Sequence, residues 1–275
     1  MKSRKILPAF LIVILIFSLF GCKVKESDNE ILSERAQTTK SNTVKVTFPE
    51  GYTAAQIAKR LEENEVCSFD DFIAQCNNTE YLDEYGFEIE NPENRAFLLE
   101  GYLFPDTYEF YRGENPKSAI KRFLNNTKAK LTDEIMEKVA SSGFSLDEIL
   151  TLASMIQWET YYESELKNVS SVLINRLSSS SFPKLQCDCS IFYLERNVKA
   201  YVSEERYEEL SLLYNTYKCT GLPEGPIANS SIEAIKAALD PADTSYYFFV
   251  TDSDNNYYFA STWQEHQENC KKCGY

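Results

Sequence analysis

The stretch that most constrains the fold runs from Ser145 to Glu159. Ser145 followed three residues later by Glu148 is a capping box, in which side-chain oxygens satisfy the first free N–H groups of a helix. Ile149, Leu152, Ala153 and Ile156 then recur at helical spacing and form an apolar stripe, so this helix must pack on a core. Glu159 follows Ile156 by three and Leu152 by seven, which puts a carboxylate on the buried stripe near the negative end of the helix. Desolvation and the dipole both favour the protonated form, so such a Glu can hold a proton near neutral pH and give it to a leaving group. Position alone leaves open the plainer alternative, a helix-end Glu that frays into solvent.

At 275 residues the chain can hold one large domain or two small ones. Lys2, Arg4 and Lys5 are the only charges among the first 22 residues, and an apolar run from Ile6 to Phe20 follows them. A run of that length, interrupted by Pro8, suits a signal h-region better than a span, which needs about 20 residues. Leu19-Phe20-Gly21-Cys22 is similar to a bacterial lipobox, making Cys22 the expected lipidation site, with an uncleaved membrane helix as the alternative. In both cases residues 1–22 are expected to tether the body to the extracytoplasmic face of the cell membrane. Residues 23–42 are polar and lack aromatics, as a disordered tether would.

Without the three leader charges, 25 basic residues face 42 acidic ones, a net charge of −17. That argues against nucleic acid or anionic lipid surfaces as partners. It is compatible with a neutral glycan held through aromatics, which make up 13% of the chain. Beyond Cys22 stand Cys67, Cys76, Cys187, Cys189, Cys219, Cys270 and Cys273. An odd number allows at most three disulfides and a spare thiol; export favours disulfides, the pairing is not legible, and Cys67–Cys76 would close a short loop. The Cys187/Cys189 and Cys270/Cys273 spacings are poor for zinc, and no metal is expected.

Along the chain, Val44 to Phe48 alternates like a strand, Pro49-Glu50-Gly51 turns it, and Thr53 starts a helix. A second short helix follows near Phe69–Gln75, and residues 80–99 are loop-rich. Residues 100–110, EGYLFPDTYEF, mix aromatics with Glu100 and Asp106 and could serve either as core or as the wall of a cleft. Helices are expected at 116–129 and 132–141, after Glu159 to about Leu177, and over the acidic segment 190–213. Ser230 with Glu233 reads as a second capping box for a helix through Leu239. Tyr246–Val250 and Tyr257–Phe259 read as a β-hairpin, so the whole is α+β. The only histidine, His266, has no Ser or Cys motif near it, which leaves a nucleophilic triad little support.

Residues 152–176 read LASMIQWETYYESELKNVSSVLINR, followed by LQCD at 185–188, YNTY at 214–217 and GLPEGPIAN at 221–229. With EGYLFPDTYEF upstream, these blocks resemble, in order and rough spacing, the MltG/YceG-type endolytic murein transglycosylases over residues 44–267. The resemblance implies a small LysM-like subdomain at 43–80 and a mixed helical/β catalytic domain of YceG-like type over 81–275. It aligns Glu159 with the family's catalytic Glu and implies Gln186, Asp188, Tyr214, Asn215, Thr216 and Tyr217 as substrate-binding residues. The last four offer an amide, a hydroxyl and two ring faces, a set suited to holding a sugar.

The implied reaction cuts peptidoglycan glycan strands between MurNAc and GlcNAc, leaves 1,6-anhydroMurNAc ends, needs no cofactor or metal, and ends nascent-strand elongation beside cell-wall synthases as candidate partners. Two departures stand out. Gln157 occupies the place of a frequent first Glu, and Cys187-Asp188-Cys189 replaces the usual Thr or Ser followed by Asp-Pro, after a loop that looks two residues longer. They leave two alternatives, an inactive glycan-binding or scaffold lipoprotein and a muramidase that uses water.

Overall fold

The computed structural model describes residues 42–275, which pack as one unit. The expected leader with Cys22, and the tether as far as Ser41, lie outside them. Strand β1 (Thr43–Thr47) pairs antiparallel with β2 (Thr107–Tyr111), from Thr43 opposite Tyr111 to Thr47 opposite Thr107. Between them come α1 (Ala54–Glu63), α2 (Phe69–Cys76) and the short α3 (Glu80–Tyr85). Thr53 and Gln56 form a capping box at α1, and Ile57, Ala58 and Leu61 turn inward at helical spacing. The strand–helix–helix–strand unit therefore does not close at residue 80. The backbone groups of β1 need a partner strand, and the chain supplies it only after the 80–106 segment.

Residues 95–105 of that segment are all buried, and the aromatics that follow join them. Tyr102 and Phe110 are fully buried, and Phe104 and Tyr108 nearly so. Phe123 of α4 (Pro116–Lys130) receives Tyr108 and Phe48 at centroid distances of 4.5 and 5.0 Å, in tilted and edge-on geometry. The choice between core and cleft wall thus falls to core for all four aromatics of residues 100–110. Glu100 is buried with them. Its carboxyl accepts the Ala54 N–H at the start of α1 and the Asn229 side-chain N–H, each at 2.9 Å, and burial pushes its pKa up to about 8. Asn229 also donates to the Tyr52 carbonyl at 2.9 Å and accepts the Leu103 N–H at 2.8 Å. One carboxyl and one amide so join three separate segments.

α5 (Asp133–Ser142) ends at Gly143, whose φ of +81° suits glycine. α6 (Leu146–Glu159) starts with the expected Ser145–Glu148 box. Its burial, however, extends beyond one stripe to Leu150, Thr151, Ser154 and Met155, because α5, α7 (Leu166–Leu177) and α10 (Ile232–Leu239) surround it. The buried hydroxyls of Thr151 and Ser154 donate to the Asp147 and Thr151 carbonyls, so their burial leaves no donor free. Beneath the start of α6, Arg95 pairs with Asp147, which also accepts the Tyr102 hydroxyl at 2.9 Å. The guanidinium occupies the space a Cβ at position 225 would fill, so Gly225 is required there.

The helix expected over 190–213 is interrupted. α8 (Asp188–Tyr193) widens into a π turn at Leu194–Val198, tightens through a 3₁₀ turn at Lys199–Tyr201, and the chain restarts as α9 (Glu204–Tyr214) with Ser203 as cap. Tyr193, Leu194, Asn197 and Val198 are all buried along this stretch. The cap of α10 is Ser231 rather than Ser230: the Ser231 hydroxyl accepts the Ala234 N–H, while Glu233 pairs with Lys236 instead of closing a box. β3 (Phe248–Thr251) and β4 (Tyr257–Ala260) form the expected hairpin, and α11 (Trp263–Cys273) packs on it. The seven cysteines of the described residues are free, Cys67 and Cys76 included, so packing rather than cross-linking holds this unit. Among the described residues no single helix is long and apolar enough to cross a membrane.

Candidate active site

Glu159 is the last residue of α6, and Thr160 turns the chain into extended backbone. The Tyr257 hydroxyl of β4 donates to the Glu159 carbonyl at 2.9 Å and fixes the end of the helix. On the preceding residue, Trp158 donates its indole N–H to the Gly51 carbonyl at 2.9 Å. Gly51 has φ +78°, and a Cβ there would lie 3.3 Å from the indole, so glycine permits this close approach between the β1–α1 turn and the end of α6. Burial raises the pKa of the Glu159 carboxyl above the usual carboxylate range. The neighbouring Asp188 charge adds to that rise, whereas Cys189 and Cys187, packed beside the carboxyl, favour its ionised form and oppose it.

The segment 186–189 that packs on Glu159 is held from below. The Thr216 hydroxyl accepts the Cys187 N–H at 2.9 Å and donates to the Cys187 carbonyl, and the Gln186 N–H reaches the Thr216 carbonyl at 3.2 Å. Gln186 sits at φ +56°, with its side-chain oxygen accepting from Arg176 at 2.6 Å. Arg176 is itself buried and also donates to the Lys184 and Tyr247 carbonyls. Asp188 is exposed and accepts the Tyr217 hydroxyl at 2.8 Å.

The tetrad 214–217 is divided by this arrangement. Tyr217 is 42% exposed and faces the site. Asn215 is half-buried, and its side-chain oxygen accepts the Tyr217 N–H at 2.9 Å. Tyr214 and Thr216 are fully buried, the Tyr214 hydroxyl accepting the Ala96 N–H, so both support the site from the core and present nothing to a substrate. Gln157 is buried too and accepts the Ser231 N–H at 3.0 Å, a role an acceptor oxygen of Glu or Gln fills equally.

Two open clefts meet at this point. One, of about 780 Å³, is walled by the turn at Gly51 and Tyr52, by Gln56 and Lys59 of α1, and by Tyr161 and Phe192. The other, of about 340 Å³, is walled by Arg176, Gln186, Tyr217 and the start of β3. Glu159 and Asp188 line both. The parts that sequence reasoning missed are Tyr257, Trp158 and the two thiols. Tyr257 and Gly51 lie far from Glu159 in the chain, and no local pattern joins them. The Cys-Asp-Cys signal was visible, but its meaning depended on the thiols facing Glu159.

A family model described as the YceG-like family matches residues 20–272. An endolytic murein transglycosylase of Bacillus subtilis (strain 168) is 30% identical over 233 residues, 81% of this chain and 63% of that protein. An endolytic murein transglycosylase of Streptococcus pneumoniae serotype 2 (strain D39) is 26% identical over 242 residues, 82% of this chain and 43% of that protein. The chain thus spans less than two thirds of the length of the curated relatives it matches. The crystal structure of a yceG-like protein of Listeria monocytogenes superposes with a TM-score of 0.71 at 28% identity, over 87% of this chain and 80% of that one.

Proposed function

Because the chain belongs to the YceG-like family, we propose that it is an endolytic lytic transglycosylase of peptidoglycan, with Glu159 as acid and then base. The observation that carries this is a carboxyl with a raised pKa placed where two open clefts meet, so that a strand can continue past it in both directions. Glu159 gives its proton to the glycosidic oxygen as the bond from the MurNAc anomeric carbon to that oxygen breaks. The MurNAc 6-hydroxyl oxygen then bonds to the same carbon, and its proton returns to Glu159. No water is consumed, and one carboxyl performs both transfers.

Both departures from the family pattern are compatible with activity. Gln157 serves the fold beneath α10, and the Cys-Asp-Cys segment packs beside Glu159, where its two cysteines favour the ionised carboxyl and Asp188 the protonated one. One observation favours hydrolysis as a second reading: Asp188, held by Tyr217, places another carboxylate beside Glu159 that could activate water. Purified glycan strands separate these readings by product mass. Anhydro ends are expected, reducing ends would mean a muramidase, and intact strands an inactive binder. Glu159→Gln should leave the melting temperature unchanged and lower cleavage about 10²–10⁴-fold; near-normal cleavage by the folded variant would reject the assignment.

The β1–α1–α2–β2 unit serves in this proposal as a LysM-like flank of the larger cleft, a role supported by the cleft positions of Tyr52, Gln56 and Lys59. Tethering through residues 1–22, with lipid on Cys22, would hold the enzyme at the extracytoplasmic membrane face near the cell-wall synthases. The intact mass of the membrane-extracted protein tests the lipid.

A further inference from the structure

The smaller cleft does not end at Tyr217. Trp263, the first residue of α11, also lines it and is 58% exposed, although a tryptophan gains more than most side chains from burial. The ring is not loose. Its centroid lies 5.7 Å from that of Phe248 and 5.4 Å from that of His266, and the last two stack on each other at 5.1 Å with planes 21° apart. Thr262 caps α11 beneath it, and β3 carries Phe248, so the platform stands on regular elements. Burial and the nearby Arg176 lower the His266 pKa, so the backing imidazole is neutral at neutral pH. A rigid, uncharged aromatic face beside an open cleft suits the apolar face of a sugar ring better than a charged group.

We propose that Trp263, backed by Phe248 and His266, walls a sugar-binding subsite in the smaller cleft and stacks on a pyranose ring of the strand cut at Glu159. This rests on the transglycosylase reading above and adds to it a residue that grips the substrate away from the bond that breaks. Stacking there holds ground state and transition state alike, so its loss raises KM and leaves kcat nearly unchanged.

The chain has two tryptophans, and they line different clefts at Glu159, Trp158 the larger and Trp263 the smaller. Acrylamide quenching of the Glu159→Gln protein, with and without glycan strands stripped of their stem peptides, therefore reads each cleft. Strands should shield an exposed tryptophan in Glu159→Gln, and that shielding should vanish in Glu159→Gln/Trp263→Tyr while Trp158 still responds. In the active enzyme Trp263→Ala should raise KM roughly three- to tenfold with kcat within about twofold, and Trp263→Tyr should restore most of the loss. Melting temperatures of both variants exclude a folding defect.

If Trp158 responds to strands while Trp263 stays fully quenchable and Trp263→Ala keeps its KM, the subsite is rejected. If only peptide-bearing strands shield Trp263, the face binds a stem peptide and the sugar assignment is likewise rejected. If neither tryptophan responds and the wild type cuts no strand, the transglycosylase reading itself falls, and the subsite with it.

Discussion

Glu100 offers a test of how a buried proton supports this fold. Its pKa rises from an ordinary 4.5 to about 8 through burial, against the hydrogen bonds from Ala54 and Asn229 that favour the ionised form. A group whose folded pKa is raised binds its proton more tightly in the folded state. Its contribution is therefore complete below about pH 4.5 and is lost as pH climbs through about 8. At about 1.4 kcal/mol per pKa unit, the whole difference is about 5 kcal/mol, comparable to the full stability of a marginal domain. Glu100→Gln removes the titration while keeping the neutral shape. The amide oxygen can accept both N–H groups that one Glu100 oxygen now takes at 2.9 Å, and the NH₂ replaces the protonated oxygen. Urea unfolding between about pH 5 and about pH 8.5 should show the wild type losing stability relative to the variant, by up to about 4 kcal/mol across the window. Parallel curves would refute the reasoning, since they would mean that Glu100 does not change its proton affinity on folding.

The basic limb of kcat/KM should lie above the ordinary carboxylate range, because burial and Asp188 raise the Glu159 pKa and activity is lost only as that proton leaves. Asp188→Asn removes the like charge and should move this limb to lower pH; an unmoved limb would show that Asp188 does not act on Glu159. Thr216→Val strands the buried Cys187 N–H and should cost about 1–3 kcal/mol in urea unfolding, whereas Tyr217→Phe should lower activity at unchanged stability. Equal stability losses in the two variants would reject the division of the tetrad into supporting and site-facing residues. Leu152→Ala, at a fully buried position of α6, should cost about 2–5 kcal/mol by the same assay, and a loss below about 1 kcal/mol would mean that the helix is less tightly surrounded than its burial implies.

The sequence by itself determined the local elements whose causes are local. The Ser145–Glu148 box, the Thr53 start of α1 and the hairpin of β3 and β4 each depend on a few neighbouring residues, and the box and the start appear where their patterns put them, the hairpin within two residues. Glu159 stands out in the sequence through its helical phase and the family-like blocks around it. Which residues share a space was decided by tertiary packing. Alternation along 214–217 sends Tyr214 and Thr216 into the core and Tyr217 to the site, and only the position of the 186–189 segment settles which face is which. The aromatics of 100–110 became core because Phe123 and Phe48 meet them from other elements. The strand partner of β1 and the placement of Cys187 and Cys189 beside Glu159 likewise arise from groups far apart in the chain. Hydrogen bonding and burial act on distance in space, and beyond a helical turn or a hairpin, sequence separation does not report that distance.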